Sequence, residues 1–449
     1  MSVRSMLLVC FLVMSGGLLC LQAIPDKQVV TPHVLYTLTA HYQPLAWVDG
    51  ADRFIGSAQI YIRDERGSRA LLPDFAASAD PAVSFDGQRM LFAGKRTAQD
   101  GWQIWEASSD GNEPRRIANC EQDCVRPFYL PEDRIVYARK RDGRFALEAS
   151  GLDGVNPVQL THIPGNALPS DVLRDGRILF EATYPLGSGK TPELYTVYSD
   201  GSGVEAYRCD HGTPRYAGKQ VSSGDIVFTS GGGLSRFTSA LAHQETVAAK
   251  AGEYADGPVE LATGNWLFSW RTNSHSNFQI LRGTPGAGEP IISATDADVV
   301  QPTPITERAV PNWHPSGLHD WPNANLLCLN AYTSKHKFPA GAIHAVRLYA
   351  RDNSGSIMLL GTSPVEQDGS FFIQVPADKP LQIELLDASG KTLQREAGWF
   401  WMRRGEQRGC VGCHAGPETA PENAVPLTLL KSTTPFDMTG ATPMSAGGH

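Results

Sequence analysis

The chain has no block of basic residues, no second C-x-x-C pair, and beyond residue 23 no apolar run long enough to cross a bilayer. The first absence, with a formal net charge of −8, argues against nucleic acid as a partner. The second removes the usual framework of a four-ligand zinc site. The third implies that nothing after the first segment is held in a membrane. Hydrolase signatures are missing too: there is no G-x-S-x-G, no H-E-x-x-H and no phosphate loop. Gly231-Gly232-Gly233 has no helix after it to make an anion site, and the Asp-Gly turns lack a full set of oxygen ligands for calcium. No tyrosine follows Tyr349.

What is present begins with an export signal. Met1 to Arg4 is a short positive region, Ser5 to Leu21 is uncharged and apolar, and Leu21-Gln22-Ala23 ends in a small residue suited to cleavage. Residues 1–23 are therefore read as a signal peptide and the protein as periplasmic or otherwise exported. The alternative is an uncleaved anchor, for which a run of about 17 residues broken by Ser15-Gly16-Gly17 is short. After cleavage no stable membrane insertion is expected. Of eight cysteines, six remain. In an oxidising compartment Cys120 and Cys124 are expected to form a short-loop disulfide. Cys209 and Cys328 read as buried small hydrophobes.

Repetition organises the first domain. Strand and acidic-glycine turn alternate through Ile104-Trp105-Glu106 with Asp110-Gly111, Leu147-Glu148-Ala149 with Asp153-Gly154, and Leu194-Tyr195-Thr196-Val197 with Asp200-Gly201. Out of phase run Asp86-Gly87-Gln88-Arg89-Met90-Leu91-Phe92, Glu132-Asp133-Arg134-Ile135-Val136-Tyr137 and Asp175-Gly176-Arg177-Ile178-Leu179-Phe180. A period of about 43 residues, all strand and turn, predicts a β-propeller with four strands per blade. One such sheet cannot bury both faces alone, whereas radial stacking covers each by its neighbour. Six copies predict a six-bladed propeller over residues 34–305, with Val34 to Trp47 supplying the strand that closes the ring. The proline followed by an Asp-Gly-Arg strand opening resembles the TolB-type propellers, a likeness of architecture only.

Residues 306–430 read as a small β-sandwich-like domain, with strands around Val346, Leu359, Phe372 and Ile383 and turns at Asp368-Gly369 and Ser389-Gly390. Residues 431–449 read as a flexible tail. Within the domain stands Cys410-Val411-Gly412-Cys413-His414, the attachment signal of a c-type haem. Two thiols three positions apart reach the two vinyl groups of one haem, and the next imidazole meets the iron. One covalent haem c is expected, bound by Cys410 and Cys413, with His414 as metal ligand. A zinc module and a redox dithiol are the alternatives. Candidates for a sixth iron ligand are His314, His319, His336, His344, Met402, Met438 and Met444. Trp399 and Trp401 flank Phe400 and, in a strand, share a face that either stacks on the porphyrin or packs in the core. Arg403, Arg404 and Arg408 are candidate partners for the haem propionates.

The whole of this segment resembles the hydrazine synthase alpha subunit and its relatives. The residues that carry the likeness are Asp368-Gly369-Ser370-Phe371, Val375-Pro376-Ala377-Asp378, Leu386-Asp387-Ala388, Trp399-Phe400-Trp401, Arg404-Gly405-Glu406 and Arg408 to His414. The resemblance implies a propeller before the module and other subunits beside it. In that family a tyrosine four residues past the motif histidine ligates iron, and the histidine turns to zinc. Here that position is Glu418, so ordinary ligation by His414 is expected and the hydrazine-forming site is not carried over. The function implied is an exported redox subunit, carrying electrons or performing oxidoreductase chemistry with a redox partner or other subunits of a complex. The alternative is an interaction scaffold whose haem is structural or sensory.

Overall fold

The computed structural model describes residues 33–186, 189–208, 212–239, 242–334, 336–352, 355–396, 398–412 and 423–440. The expected signal peptide lies outside them. Among the described residues no helix is long and apolar enough to cross a membrane.

Strands of the repeat region are apolar on both faces: Met90 to Gly94 is buried without interruption in the strand Arg89–Lys95. Such a strand needs a sheet on either side of its own. Among the described residues the arrangement supplies this with six successive antiparallel sheets, built mostly of four consecutive strands each. The second contains Ala77–Val83, Arg89–Lys95, Gln103–Ser108 and Arg115–Ala118, and the third runs from Cys124–Leu130 to Val158–Gln159. The fourth runs from Ala167–Val172 to Glu205–Ala206, the fifth from Tyr216–Gln220 to Glu245–Thr246, and the sixth from Glu253–Tyr254 to Glu289–Ile292. Separate apolar clusters fill the gaps between neighbours: Leu35, Ile60 and Phe92 join the first sheet to the second, and Leu91, Ile104 and Tyr137 the second to the third. Val34, Leu267 and Ile280 join the sixth back to the first, so the sheets form a propeller ring.

Closure differs in detail from the expectation. Val34–Tyr42 is an interior strand of the first sheet, between Phe54–Asp64 and Asp298–Pro304. The innermost, closing strand comes from the far end of the domain, because only a strand from the end of the chain can tie both termini into one sheet. The expected disulfide between Cys120 and Cys124 is present, with the Cα atoms 6.1 Å apart.

The linker after residue 305 crosses one face of the ring. Arg308 N donates to Phe85 O at 2.8 Å and Asn312 N to Arg174 O at 2.9 Å. A Cβ on Gly176, at φ +86°, would stand 2.1 Å from Asn312 O, so the Asp-Gly turn there also provides the linker's passage.

Two four-stranded sheets then pack face to face. One orders Gln407–Cys410, Asn323–Cys328, Phe371–Pro376 and Phe436–Asp437; the other orders Ile357–Pro364, Ala345–Arg351, Leu381–Leu386 and Thr392–Arg395. Leu326, Ile373, Val346, Leu348 and Leu385 form the core between them. The segment read as a flexible tail contributes to this core: Phe436–Asp437 pairs with Ile373 and Gln374, and Met438 is fully buried. Polar residues around Pro435 concealed a two-residue edge strand.

Candidate functional site

Cys410 ends the strand Gln407–Cys410, which lies parallel to Asn323–Cys328 and places Cys410 opposite Cys328. Leu329 N donates to Cys410 O at 2.9 Å. The approach to this strand is a turn held by Glu406, only 6% exposed. Its carboxylate accepts from Arg403 N at 2.7 Å, from Arg408 Nη2 at 2.6 Å and from Gly203 N of the fourth propeller sheet at 3.1 Å. Gly405, at φ +70°, permits the turn, since a Cβ there would fall 1.8 Å from His319 O. On the other side of Cys410, Gly412 packs so closely on Thr333 that a Cβ would stand 2.0 Å from its carbonyl oxygen.

The Cys410 thiol is half-buried, and desolvation pushes its pKa up; Arg408 opposes this, while Glu205, Glu396 and Glu406 reinforce it. Glu205 belongs to the fourth propeller sheet, so Cys410 stands near the junction of the two domains. Gly409 faces open space, with nothing within 4 Å of an added Cβ. A half-buried thiol beside an open backbone suits covalent attachment of a flat, bulky group. Cys413, His414 and Glu418 lie outside the described residues. Among the described residues no three His, Cys, Asp or Glu side chains converge as a metal set.

The remaining sequence candidates are dispersed. Met402 and Met438 are fully buried in the sandwich core, where their flexible thioethers fill gaps. His314 Nε2 pairs with Asp175 O at 2.7 Å on the propeller, and His319 stacks on Trp321 with ring centroids 4.7 Å apart. His336 and His344 are exposed, and Met444 lies outside the described residues. The tryptophans do not share a face, because the segment makes only an isolated bridge, between Phe400 and Leu381. Trp399 is half-buried. Trp401 is 1% exposed and inserts among Phe180, Tyr195 and Leu160 between the third and fourth propeller sheets. Its indole N–H donates to Gly201 O at 3.2 Å.

Arg403 and Arg408, candidates for propionates, are engaged within the protein. Arg408 is bound to Glu406. Arg403 Nη1 reaches Asp378 Oδ1 at 2.7 Å, Gln159 O at 3.2 Å and His162 Nε2 at 2.9 Å. Arg404 is exposed and remains available. Asp378 and His162 form, with Arg403, a junction that sequence reasoning missed. Asp378 adopts φ +58°, and its N–H donates to Met402 O at 2.8 Å. The only advance signal for it was membership of Val375-Pro376-Ala377-Asp378.

Burial, and then the Arg403 charge, push the His162 pKa down from 6.5 to about 4. His162 is thus neutral in the folded protein and accepts a hydrogen bond from Arg403. Its unfolded counterpart binds a proton near pH 6.5, so the stabilisation is complete above that pH and is lost as pH falls toward 4. The full loss amounts to about 3 kcal/mol. Denaturant midpoints measured between pH 7 and pH 4 should fall more steeply for the wild type than for His162→Gln. Parallel slopes would show that His162 titrates normally.

Residues 336–415 match the family model described as the hydrazine synthase alpha subunit middle domain. In fold the chain is similar to Kuenenia stuttgartiensis hydrazine synthase, with a TM-score of 0.78 at 18% identity, covering 89% of this chain and 71% of that one. TolB from Acinetobacter baumannii overlaps at 14% identity and a TM-score of 0.44, over 61% of this chain and 66% of that one. A putative TolB from Agrobacterium tumefaciens overlaps at 17% identity and a TM-score of 0.37, over 48% and 88%. No curated protein matches the chain. Residues 336–415 are thus similar to the middle domain of the hydrazine synthase alpha subunit, and the chain as a whole is similar in fold to hydrazine synthase.

Proposed function

We propose that this chain is an exported redox subunit of a larger complex, a six-bladed propeller carrying a sandwich module with one covalent haem c. The observation that supports this most is the C-x-x-C-H run inside the matched segment, its first thiol half-buried at a strand end beside open space. Cys410 and Cys413 hold the haem by thioethers, and His414 is the iron ligand. The haem supplies a one-electron couple. The protein's part is to orient it: Glu406 braces the attachment strand, Gly412 seats the motif on the Thr333 turn, and Trp401 fixes the module against the propeller. Glu418 stands where the family's ligating tyrosine would be, which favours ordinary ligation by His414.

The test is expression with the complete leader in a bacterium competent for cytochrome c maturation. Periplasmic wild-type protein is expected to keep one haem after denaturation, seen in its intact mass and haemochrome spectrum. Cys410→Ala with Cys413→Ala should lose it entirely. Wild-type protein of unmodified mass would overturn the assignment.

A further inference from the structure

The axis of the propeller carries a polar arrangement that the haem reading does not use. Innermost strands of five sheets break register near their middles: between Ala79 and Ala82, Val125 and Phe128, Pro169 and Asp171, Tyr216 and Lys219, and opposite Leu35 to Thr37. In the sixth sheet the innermost strand is split around Ala255 to Pro258. Asp80, Arg126, Ala217 and Gln301 take positive φ at these bulges, between 52° and 60°. A bulge re-aims side chains, and here it gathers polar groups around the axis.

Three levels follow along the strands. The first residues, with Trp47, Val48 and Phe54, form an apolar plug that closes one end. The middle residues form a charged belt. Beyond it lies a cavity of about 70 Å³, walled by Pro81, Pro127, Phe128 and Pro302, on the face the linker crosses. The pocket is therefore blind.

Hydrogen bonding in the belt is almost complete. Asp80 accepts from Arg53 Nη2 at 2.6 Å, Arg126 N at 2.9 Å and Gln301 Nε2 at 2.5 Å. Arg126 pairs with Glu181, whose other oxygen accepts from Ala217 N at 2.7 Å. Lys219 donates to Ser170 O at 2.6 Å and lies over the Phe128 ring. Gln301 Oε1 accepts from Thr37 Oγ1 at 2.7 Å and Asp80 N at 3.1 Å. Two groups are exceptions: Arg53 Nη1, which is buried with no hydrogen-bond partner among the described residues, and Asp256. Asp256 lines the cavity and is 9% exposed, and its buried Oδ2 has no hydrogen-bond partner among the described residues. Burial pushes its carboxyl pKa up, against the charges of Arg126, Arg53 and Lys219.

An unmet buried acceptor calls for a donor. Three acids, Asp80, Glu181 and Asp256, face three bases, Arg53, Arg126 and Lys219. Two acids are ion-paired, with Arg53 and Arg126; Lys219 balances the third in charge but donates to a backbone carbonyl, so what the Asp256 oxygen lacks is a donor. The cavity is small, about 70 Å³, which limits what enters to a small head group. We propose that Asp256 is the anchor of a blind site for a small primary ammonium group, at the centre of the propeller. A free amine and a peptide chain end both present this chemistry.

The test uses the full chain and ligand-induced changes in its NMR spectrum or melting temperature. Methylammonium is expected to bind saturably, and tetramethylammonium and acetate not to bind, since one has no N–H donor and the other has the wrong charge. Triglycine amide with a free N-terminus, but not its acetylated form, binds if chain ends enter; binding of methylammonium alone assigns the site to free amines. Asp256→Asn should weaken methylammonium binding at least tenfold. The wild-type probe series decides the matter even if that variant fails to fold. Saturable binding of acetate in place of methylammonium, or no binding of any probe, with Oδ2 then met by water only, would overturn the proposal.

Discussion

Trp401→Ala is expected to lower the unfolding free energy by about 3–5 kcal/mol, the range for removing a large aromatic side chain from a packed core. The size follows from where this side chain ends. It leaves the sandwich module and fills the gap between two propeller sheets, 6.5 Å from the Phe180 ring and 6.2 Å from that of His162. Its loss opens a cavity in the propeller and also unties the module, since the Gly201 hydrogen bond goes with it. Two unfolding steps should then appear by circular dichroism where the wild type shows one. Limited proteolysis should cut in the linker between residues 306 and 322. A single transition with a drop under 1 kcal/mol would mean that Glu406 and Arg403 hold the domains without the indole. Trp401→Phe should recover part of the stability, because it restores area but no donor.

Glu181→Ala is expected to be as damaging, at about 3–5 kcal/mol, the cost of leaving one partner of a buried pair unmatched. Glu181 is 1% exposed, and burial pulls its carboxyl pKa up, with the Arg126 charge opposing that pull. Without the carboxylate, Arg126 retains a buried charge, and Ala217 N loses its acceptor at a strained backbone position. Replacing both members, by Glu181→Leu with Arg126→Met, should be milder than Glu181→Ala, since the stranded charge is gone. Urea midpoints of the three variants give the comparison. A double variant weaker than the single one would show that Arg126 is needed at the axis for other partners, of which the Asp256 pocket is the nearest.

Much of the fold was legible in local pattern. A strand-and-turn period of about 43 residues is a local property, so the succession of sheets was legible from Asp-Gly turns and apolar strand cores. The Cys120–Cys124 disulfide was legible from its short spacing and the strands of the second domain from their alternation, while the haem-attachment reading of Cys410, Cys413 and His414 rests on contiguity alone. Relations between residues far apart in the chain emerged only on folding. Asp298–Pro304 closes on Val34–Tyr42 because ring closure needs the last strand beside the first, and no local pattern marks that. Trp401 and Arg403 leave their own domain because the gap they fill belongs to the third and fourth propeller sheets. The spacing of Trp399 and Trp401 about Phe400 suggested a shared face only while the segment was taken for a regular strand. Asp80, Arg126, Asp256 and Gln301 lie in separate repeats, and no local pattern marks them. They meet because each sheet contributes its bulge to one axis, and the charge balance there exists only once all six sheets are in place.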